Sequence, residues 1–240
     1  MNVAWEESGW EPLAPGVGRL RLPGWDATTG LAVGADAALL YDTGSTLREG
    51  AAIRAHTRTL LGGRRVTHIA LSHPHFDHVL GTAAFAEAEV YGAAGMAELL
   101  TGDTAGLYED AVRHGVAAGE AAEAVDLLVA PRHPVSGEVT LNLGGLRVVL
   151  ANAGPGHTAH DLAMLVPGSP AVVFCGDLVE ESGEPQAGPD AVPARWPAAL
   201  DRLLALGGED ALYVPGHGAV VDAAFVRAQR DALAARAGAS

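Results

Sequence analysis

Short apolar runs alternate with stretches of helical spacing along the whole chain. The apolar runs are often β-branched and are bounded by glycine or proline, which is typical of strands. They lie at 17–22, 37–41, 66–71, 139–143, 146–150, 162–166, 171–175 and 211–214. The helical spacing falls at 47–61, 79–85, most of 94–129, 196–206 and 223–237. Because strands and helices intermix in both halves without a linker, we predict a single layered α/β domain over residues 1–240.

The composition is that of a folded, acidic protein. Of its 240 residues, 49% are hydrophobic, and the formal net charge is −14. All 15 basic residues are arginine, and they form no cluster. We therefore expect no nucleic acid and no membrane as partners, and a small molecule as substrate. The absence of lysine also excludes a Schiff-base mechanism.

The sequence also favours a cytoplasmic location. Residues 1–7 lack the basic region and apolar run of a signal peptide, and no stretch is long enough to span a membrane. Cys175 is the single cysteine and lies in an apolar run, so we predict a buried, inert thiol.

The segment from His73 to His78 is the strongest chemical signal in the chain. It places three histidines and one aspartate within six residues: His73, His75, Asp77 and His78. The strand predicted at 66–71 precedes it, and Pro74 ends regular pairing, so we expect these side chains on a loop at a strand end. A histidine-rich polar loop without chemistry is the alternative, but neutral imidazole is the commonest metal ligand in proteins.

Three further polar residues follow predicted strands, each beside a glycine. They are His157, Asp177 and His217. One such residue alone is more often part of a turn. Together with the first segment they make five histidines and two aspartates, whereas one zinc ion needs only three or four protein ligands. The set therefore predicts two metal ions that share a bridging carboxylate and a water.

The spacing of these residues resembles the metallo-β-lactamase fold superfamily over about residues 15 to 220. The His-x-His-x-Asp-His motif of that family is intact, and its later ligands match His157, Asp177 and His217. Asp42 matches an early aspartate that is structural in the family. The resemblance implies an αββα sandwich of two mixed β-sheets flanked by helices. It also implies that His73, His75 and His157 hold one ion, that Asp77, His78 and His217 hold the other, and that Asp177 bridges them.

Such a ligand set indicates metal-assisted hydrolysis. Two divalent ions lower the pKa of water from 15.7 to about 7, so hydroxide is available at neutral pH. Asp77 is the predicted catalytic residue, because it can accept a hydrogen from that water and direct its attack. We expect two divalent ions, most simply Zn²⁺ with Fe or Mn as alternatives, and cleavage of an ester, thioester, lactone or similar bond of a small molecule.

Residues around the ligands are candidates for substrate contact or support. Substrate contacts are predicted for Trp25, Phe76, His160 and Glu180. Trp25 lies at a hairpin tip, where its ring can form a flap or pack on the body of the domain. Glu180 can reach the site or belong to a solvated acidic loop. Side chains that would orient the ligands are predicted at Asp42, His68, Thr158 and Asp161.

Departures from known subfamilies leave the substrate open. Glyoxalase II adds a C-terminal domain with basic residues for glutathione, whereas 23 residues without lysine follow His217 here, so we do not expect glutathione thioesters as substrates. Lactonases of this fold have a tyrosine where this chain has Glu180. Secreted zinc β-lactamases usually replace the bridging aspartate. Persulfide dioxygenases keep the histidine motif but use one iron, so a mononuclear iron oxygenase is an alternative. A non-catalytic metal-binding member of the fold is a second alternative.

Overall fold

The computed structural model describes residue 3, residue 5 and residues 9–238. The described part of the chain forms twelve strands in two sheets, with helices outside them. The strands are β1 (Glu11–Ala14), β2 (Val17–Arg21), β3 (Thr28–Val33), β4 (Ala38–Tyr41), β5 (His68–Ala70), β6 (Glu89–Ala93), β7 (His133–Val135), β8 (Glu138–Asn142), β9 (Arg147–Asn152), β10 (Leu162–Val166), β11 (Val172–Glu180) and β12 (Leu212–His217). The helices are α1 (Leu47–Leu60), α2 (Phe76–Val79), α3 (Met96–Gly102), α4 (Thr104–Arg113), α5 (Ala118–Asp126), α6 (Trp196–Gly207) and α7 (Ala223–Gly238), with a 3₁₀ turn at Thr82–Phe85.

Both sheets are mixed. The first has the order β1-β2-β3-β4-β5-β6-β7, antiparallel from β1 to β4 and parallel from β4 to β7. The second has the order β12-β11-β10-β9-β8, in which only β11 and β12 run parallel. A parallel pair needs a crossover between its strands, and α1 and α6 supply it for β4–β5 and β11–β12.

Successive residues of the inner strands bury opposite faces, and this alternation builds the four layers. Leu39 of β4 packs between the sheets, whereas Leu40 packs with Ile53 of α1 on the outside. In the second sheet, Phe174 faces inward and Val173 packs against α6 and α7. The inner layer is also joined by a hydrogen bond of 2.6 Å from the Tyr41 hydroxyl to the Leu162 carbonyl. The predicted αββα sandwich is therefore confirmed.

Most predicted elements are present, with differences near the ligands. The Gly144-Gly145 hairpin joins β8 and β9, and the breaks near Gly102 and Gly115 separate α3, α4 and α5. No apolar run was predicted at β1, β3, β6 or β7. Cys175 is buried, and burial raises the pKa of its thiol, as expected of an inert cysteine. No helix in the described residues is long and apolar enough to cross a membrane.

Two expectations about the positions of ligands were wrong. Asp77 and His78 lie on α2 rather than on a loop, because the chain turns into a helix directly after His75. Asp177 lies inside β11 and His217 is the last residue of β12, whereas both were expected after these strands. Register shifts against β12 on both sides of Gly176 distort the strand at this point, and such irregularities redirect side chains near functional sites.

Candidate metal centre

The first group of candidate ligands comes from three places in the fold: the segment after β5, the loop after β9 and strand β11. It consists of His73, His75, His157 and Asp177, whose nearest nitrogen and oxygen atoms lie within 4.8 Å of one another. His73 is 1% exposed, and its Nδ1 lies 2.8 Å from Ser72 Oγ, which leaves Nε2 facing the group. The backbone N–H of Ser72 donates to Asp42 Oδ1 at 2.7 Å, so Asp42 fixes the start of the segment.

The loop between β11 and α6 orients the other two histidines of this group. His75 Nε2 lies 3.0 Å from Asp190 Oδ2, and His157 Nδ1 lies 3.1 Å from the Gln186 carbonyl oxygen. With protons on these two atoms, the opposite ring nitrogens, His75 Nδ1 and His157 Nε2, are free to bind a metal; they lie 3.0 Å apart. Burial lowers the pKa of His157 to about 4, so its ring is neutral near pH 7.

The second group is Asp77, His78 and His217, again within 4.8 Å. His78 is fully buried, and its Nδ1–H donates to Asp42 Oδ2 at 2.8 Å. His217 Nδ1–H donates to the Trp25 carbonyl at 2.8 Å. Both hydrogen bonds direct Nε2 toward the centre of the group. Asp77 Oδ2 lies 3.5 Å from His78 Nε2 and 3.4 Å from His217 Nε2.

Asp177 lies between the two groups. Its Oδ1 is 3.3 Å from His78 Nε2, and its Oδ2 is 3.3 Å from His217 Nε2 and 3.5 Å from His157 Nε2. Gly216 makes this position possible, because a β-carbon there would overlap Asp177 Oδ1. The Gly-His pattern at the end of β12 therefore has a steric reason.

Three buried polar atoms of these groups have no hydrogen-bond partner: His73 Nε2, His78 Nε2 and Asp177 Oδ1. His73 Nε2 and His78 Nε2 lie 3.6 and 3.3 Å from the Asp177 carboxylate without forming hydrogen bonds to it, and buried polar atoms need such partners, so a shared metal ion would satisfy all three. Imidazole nitrogens and carboxylate oxygens are ligands of zinc and of other transition-metal ions. The seven predicted residues thus converge on two adjacent groups that fit divalent ions.

The carboxylates of this centre raise the pKa of both histidines of the second group. Burial alone would lower the pKa of His217, but the carboxylates of Asp177 and Asp77 together outweigh it and raise this pKa to about 11. Burial likewise opposes ionisation of His78, and the carboxylates of Asp77, Asp177 and Asp42 raise its pKa well above the usual value. Near pH 7 both imidazoles of the second group therefore carry a proton that a metal ion must displace.

We expect metal uptake at pH 7 to release protons, because a histidine ligand must be neutral. His78 and His217 hold a proton without a metal, and Asp190 also raises the pKa of His75, so filling both sites releases at least two protons per chain and affinity rises with pH. Titration calorimetry in buffers of different ionisation enthalpy measures this number as a slope. A slope of zero would contradict the assigned protonation states.

The predicted substrate contacts have different surroundings. The Trp25 indole N–H donates to the His114 carbonyl at 3.3 Å, and its ring meets Phe76 edge-on at 5.4 Å. Phe76 is 4% exposed and stacks on His114, so both rings pack on the body of the domain. A substrate contact from either ring stays a prediction, as does one from the half-buried His160, whose Nδ1–H donates to the Ala94 carbonyl at 2.9 Å.

The predicted supporting residues are only partly in contact with ligands. Asp42 holds His78 and Ser72, as expected. His68 instead stacks on Tyr91 at 6.1 Å, away from the ligands, because it lies at the start of β5 whereas the ligands follow the end of that strand. Asp161 accepts from the Thr158 N–H at 3.0 Å and hydroxyl at 2.8 Å, which shapes the turn that carries His157.

Sequence reasoning missed four supports: Ser72, Asp190 and the carbonyl groups of Trp25 and Gln186. Ser72 adjoins His73 and could have been suspected. Asp190 lies 115 positions from His75, and no local pattern marks it. Backbone carbonyls carry no sequence signal.

Replacing Asp190 by asparagine is expected to weaken binding at the first group by about 10- to 100-fold, the usual effect of losing a carboxylate that orients a histidine ligand. A carboxamide can present either its oxygen or its NH₂ group to His75 Nε2, so the ring orientation is less well fixed. Competition with a chromophoric chelator measures the affinity. Asp126→Asn, at the end of α5 and away from the ligands, is the matched control and should bind metal like the wild type. Equal affinities for all three proteins would exclude this role for Asp190.

Two facing mixed sheets with a buried histidine–aspartate cluster at one edge define an αββα protein whose clustered residues could hold metal ions. The chain belongs to the metallo-beta-lactamase superfamily, whose family model matches residues 22–217. No curated protein matches its sequence.

Solved structures show the same fold. A metallo-beta-lactamase from Pontibacter korlensis is 19% identical, with a TM-score of 0.73 over 92% of this chain and 98% of that one. The crystal structure of DIM-1 metallo-beta-lactamase is 17% identical, with a TM-score of 0.71 over 95% and 97%. At these identities the likeness concerns the fold alone.

Proposed function

We propose that this protein is a dinuclear metal hydrolase that cleaves an ester, thioester, lactone or similar bond of a small molecule. The observation that carries the proposal is the set of unpartnered buried atoms on His73, His78 and Asp177, which lie within the two ligand groups. Zinc as the metal, two ions per chain and a cytoplasmic location are parts of the same proposal.

Each ligand group has its own structural support. His73, His75 and His157 would hold one ion, Asp77, His78 and His217 the other, and Asp177 lies within reach of both. Bound divalent ions supply a Lewis acid and lower the pKa of water to about 7. Asp42, Ser72, Asp190 and the carbonyl groups of Gln186 and Trp25 hold the imidazole rings in place, so little reorganisation accompanies the reaction.

Asp77 is the residue we assign to proton transfer. Its carboxylate lies on the first turn of α2, 3.4 Å from His217 Nε2, and is 11% exposed. Burial opposes ionisation of this group, but His78 and His217 keep the pKa of Asp77 below its usual value, so it is an acceptor near pH 7. The Asp77 carboxylate would orient the attacking water and take up its proton.

A substrate panel tests the reaction class. Protein purified without chelator and supplied with Zn²⁺ should hydrolyse at least one member of a panel of lactones, thioesters, esters, lactams and phosphodiesters, without consuming oxygen. Asp77→Asn should lose this hydrolysis, and Asp126→Asn should retain it. Oxygen consumption with a thiol persulfide, and no hydrolysis of the panel, would instead support the iron oxygenase. A protein that binds no metal would support the non-catalytic alternative.

A further inference from the structure

Glu180 adds a third carboxylate to the edge of the centre. It is the last residue of β11 and is only 7% exposed, which excludes a solvated acidic loop at this position. One of its carboxylate oxygens, a carboxylate oxygen of Asp177 and a ring nitrogen of His217 lie within 4.8 Å of one another. The side chain therefore borders the second ligand group.

The position of Glu180 is built into the fold. Its Oε1 accepts from the Ser182 N–H at 3.0 Å and from the Ser182 hydroxyl at 2.6 Å. Its backbone N–H donates to Gln229 Oε1 at 3.1 Å, and the Gln229 amide in turn donates to the Leu178 carbonyl at 2.8 Å. The other oxygen, Oε2, has no hydrogen-bond partner among the described residues and can accept one from a bound molecule.

Among the described residues, no arginine pairs with this carboxylate. The chain has no lysine, and in the part that the structure describes no arginine forms an ion pair with Asp77, Asp177 or Glu180. The buried Arg19 is held by Glu11 and the Gly218 carbonyl. Three carboxylates, counting Glu180 with Asp77 and Asp177, would offset three of the four charges of two divalent ions. Among the described residues, therefore, no arginine neutralises the carboxylates of this centre.

We propose that Glu180 determines substrate charge: it disfavours substrates with a carboxylate beside the scissile bond and favours neutral ones with an N–H or O–H donor there. This inference rests on the proposed function and names the substrate class for the same centre. A like charge held at short range raises the free energy of binding, whereas a donor on the substrate satisfies Oε2. We therefore expect β-lactams, which carry such a carboxylate, to be poor substrates despite the fold shared with β-lactamases.

Binding of two small thiols tests the inference without any hydrolysis. Mercaptoethanol and mercaptoacetate both bind metal ions through sulfur, and they differ in carrying a hydroxyl or a carboxylate. The protein is loaded with Co²⁺, and the two dissociation constants are read from the thiolate–cobalt absorption. Glu180→Gln keeps the shape and removes the charge, so the affinity for mercaptoacetate relative to mercaptoethanol should rise by about tenfold.

A second variant serves as the control for the loss of charge at Glu180. Glu184→Gln removes a charge from the loop that follows β11, at an exposed residue paired with Arg236, and should leave the ratio of the two affinities as in the wild type. Metal content measured on each variant confirms that the centre is filled. An unchanged ratio in Glu180→Gln would overturn the inference, even if the protein proves to be a hydrolase.

Hydrolysis gives the second arm of the test. The wild type should cleave neutral nitrophenyl acetate with a higher kcat/KM than anionic nitrophenyl hemisuccinate, and Glu180→Gln should reduce that preference. Preferential cleavage of the hemisuccinate by the wild type would overturn the inference and leave the hydrolase proposal standing. If neither ester nor any panel substrate is cleaved, the proposed function fails, and the thiol affinities still decide the role of Glu180.

Discussion

Replacing Asp177 by asparagine is expected to remove one of the two metal ions and nearly all hydrolysis. Asparagine has the same size but no charge, and the Asp177 carboxylate lies within 3.6 Å of ring nitrogens of His73, His78, His157 and His217. A metal ion contributes several kcal/mol to stabilising a transition state, and each 1.36 kcal/mol is a factor of ten. We therefore expect kcat/KM to fall by roughly 10²- to 10³-fold or more.

Metal content and kinetics should change together in this variant. Elemental analysis of Asp177→Asn should give one ion per chain or fewer, and added Zn²⁺ should not restore the rate. Asp126→Asn carries the same chemical change at the end of α5 and should match the wild type. Full metal content with normal kinetics in Asp177→Asn would show that this aspartate is not shared between two ions.

Replacing Asp42 should separate support of the fold from support of the ligand. Asp42 is 2% exposed and has a positive φ of 62°, a conformation that aspartate and asparagine tolerate better than alanine. Asp42→Ala leaves the buried His78 ring and the Ser72 N–H without their acceptor, so the free energy of unfolding should fall by about 3–5 kcal/mol.

Asp42→Asn should remain folded but bind metal poorly. Its amide oxygen can still accept from Ser72, while its NH₂ group meets His78 Nδ1 and favours the tautomer with the proton on Nε2. That proton occupies the atom that would bind the ion, so affinity at the second group should fall by about 10- to 100-fold. Chemical denaturation and metal titration of both variants check the two effects. Normal metal affinity in Asp42→Asn would contradict the orienting role.

The seven predicted ligands illustrate what a sequence can reveal. The sequence placed each of them at or after a strand end or beside a turn, and strand ends on one edge of a sandwich meet in space, although Asp177 proves to lie inside β11. The sequence alone therefore joins His157, Asp177 and His217 to the first segment. The αββα order of the layers was predicted from the resemblance to the metallo-β-lactamase superfamily, not from the pattern of residues. Strands β1, β6 and β7 were missed because each is short and none is fully buried, and β1 and β7 contain a proline; β3 is fully buried but has Gly30 within it.

The surroundings of the ligands depend on contacts between distant segments. Asp190 reaches His75 from a loop between β11 and α6, and the Trp25 carbonyl reaches His217 across 192 positions. The sequence leaves Glu180 either solvated or facing the site, and only Gln229 of α7 and the turn at Ser182 decide between these possibilities. Such tertiary contacts leave no periodic pattern, which is why the ligands were predictable and their surroundings were not.

Elemental analysis of freshly purified protein, prepared without chelator or added metal, tests the central claim most directly. A dinuclear hydrolase predicts two equivalents of divalent metal per chain, mainly zinc, and loss of hydrolysis when a chelator removes them. A single equivalent of iron with no hydrolysis of the panel, or no bound metal at all, would contradict it.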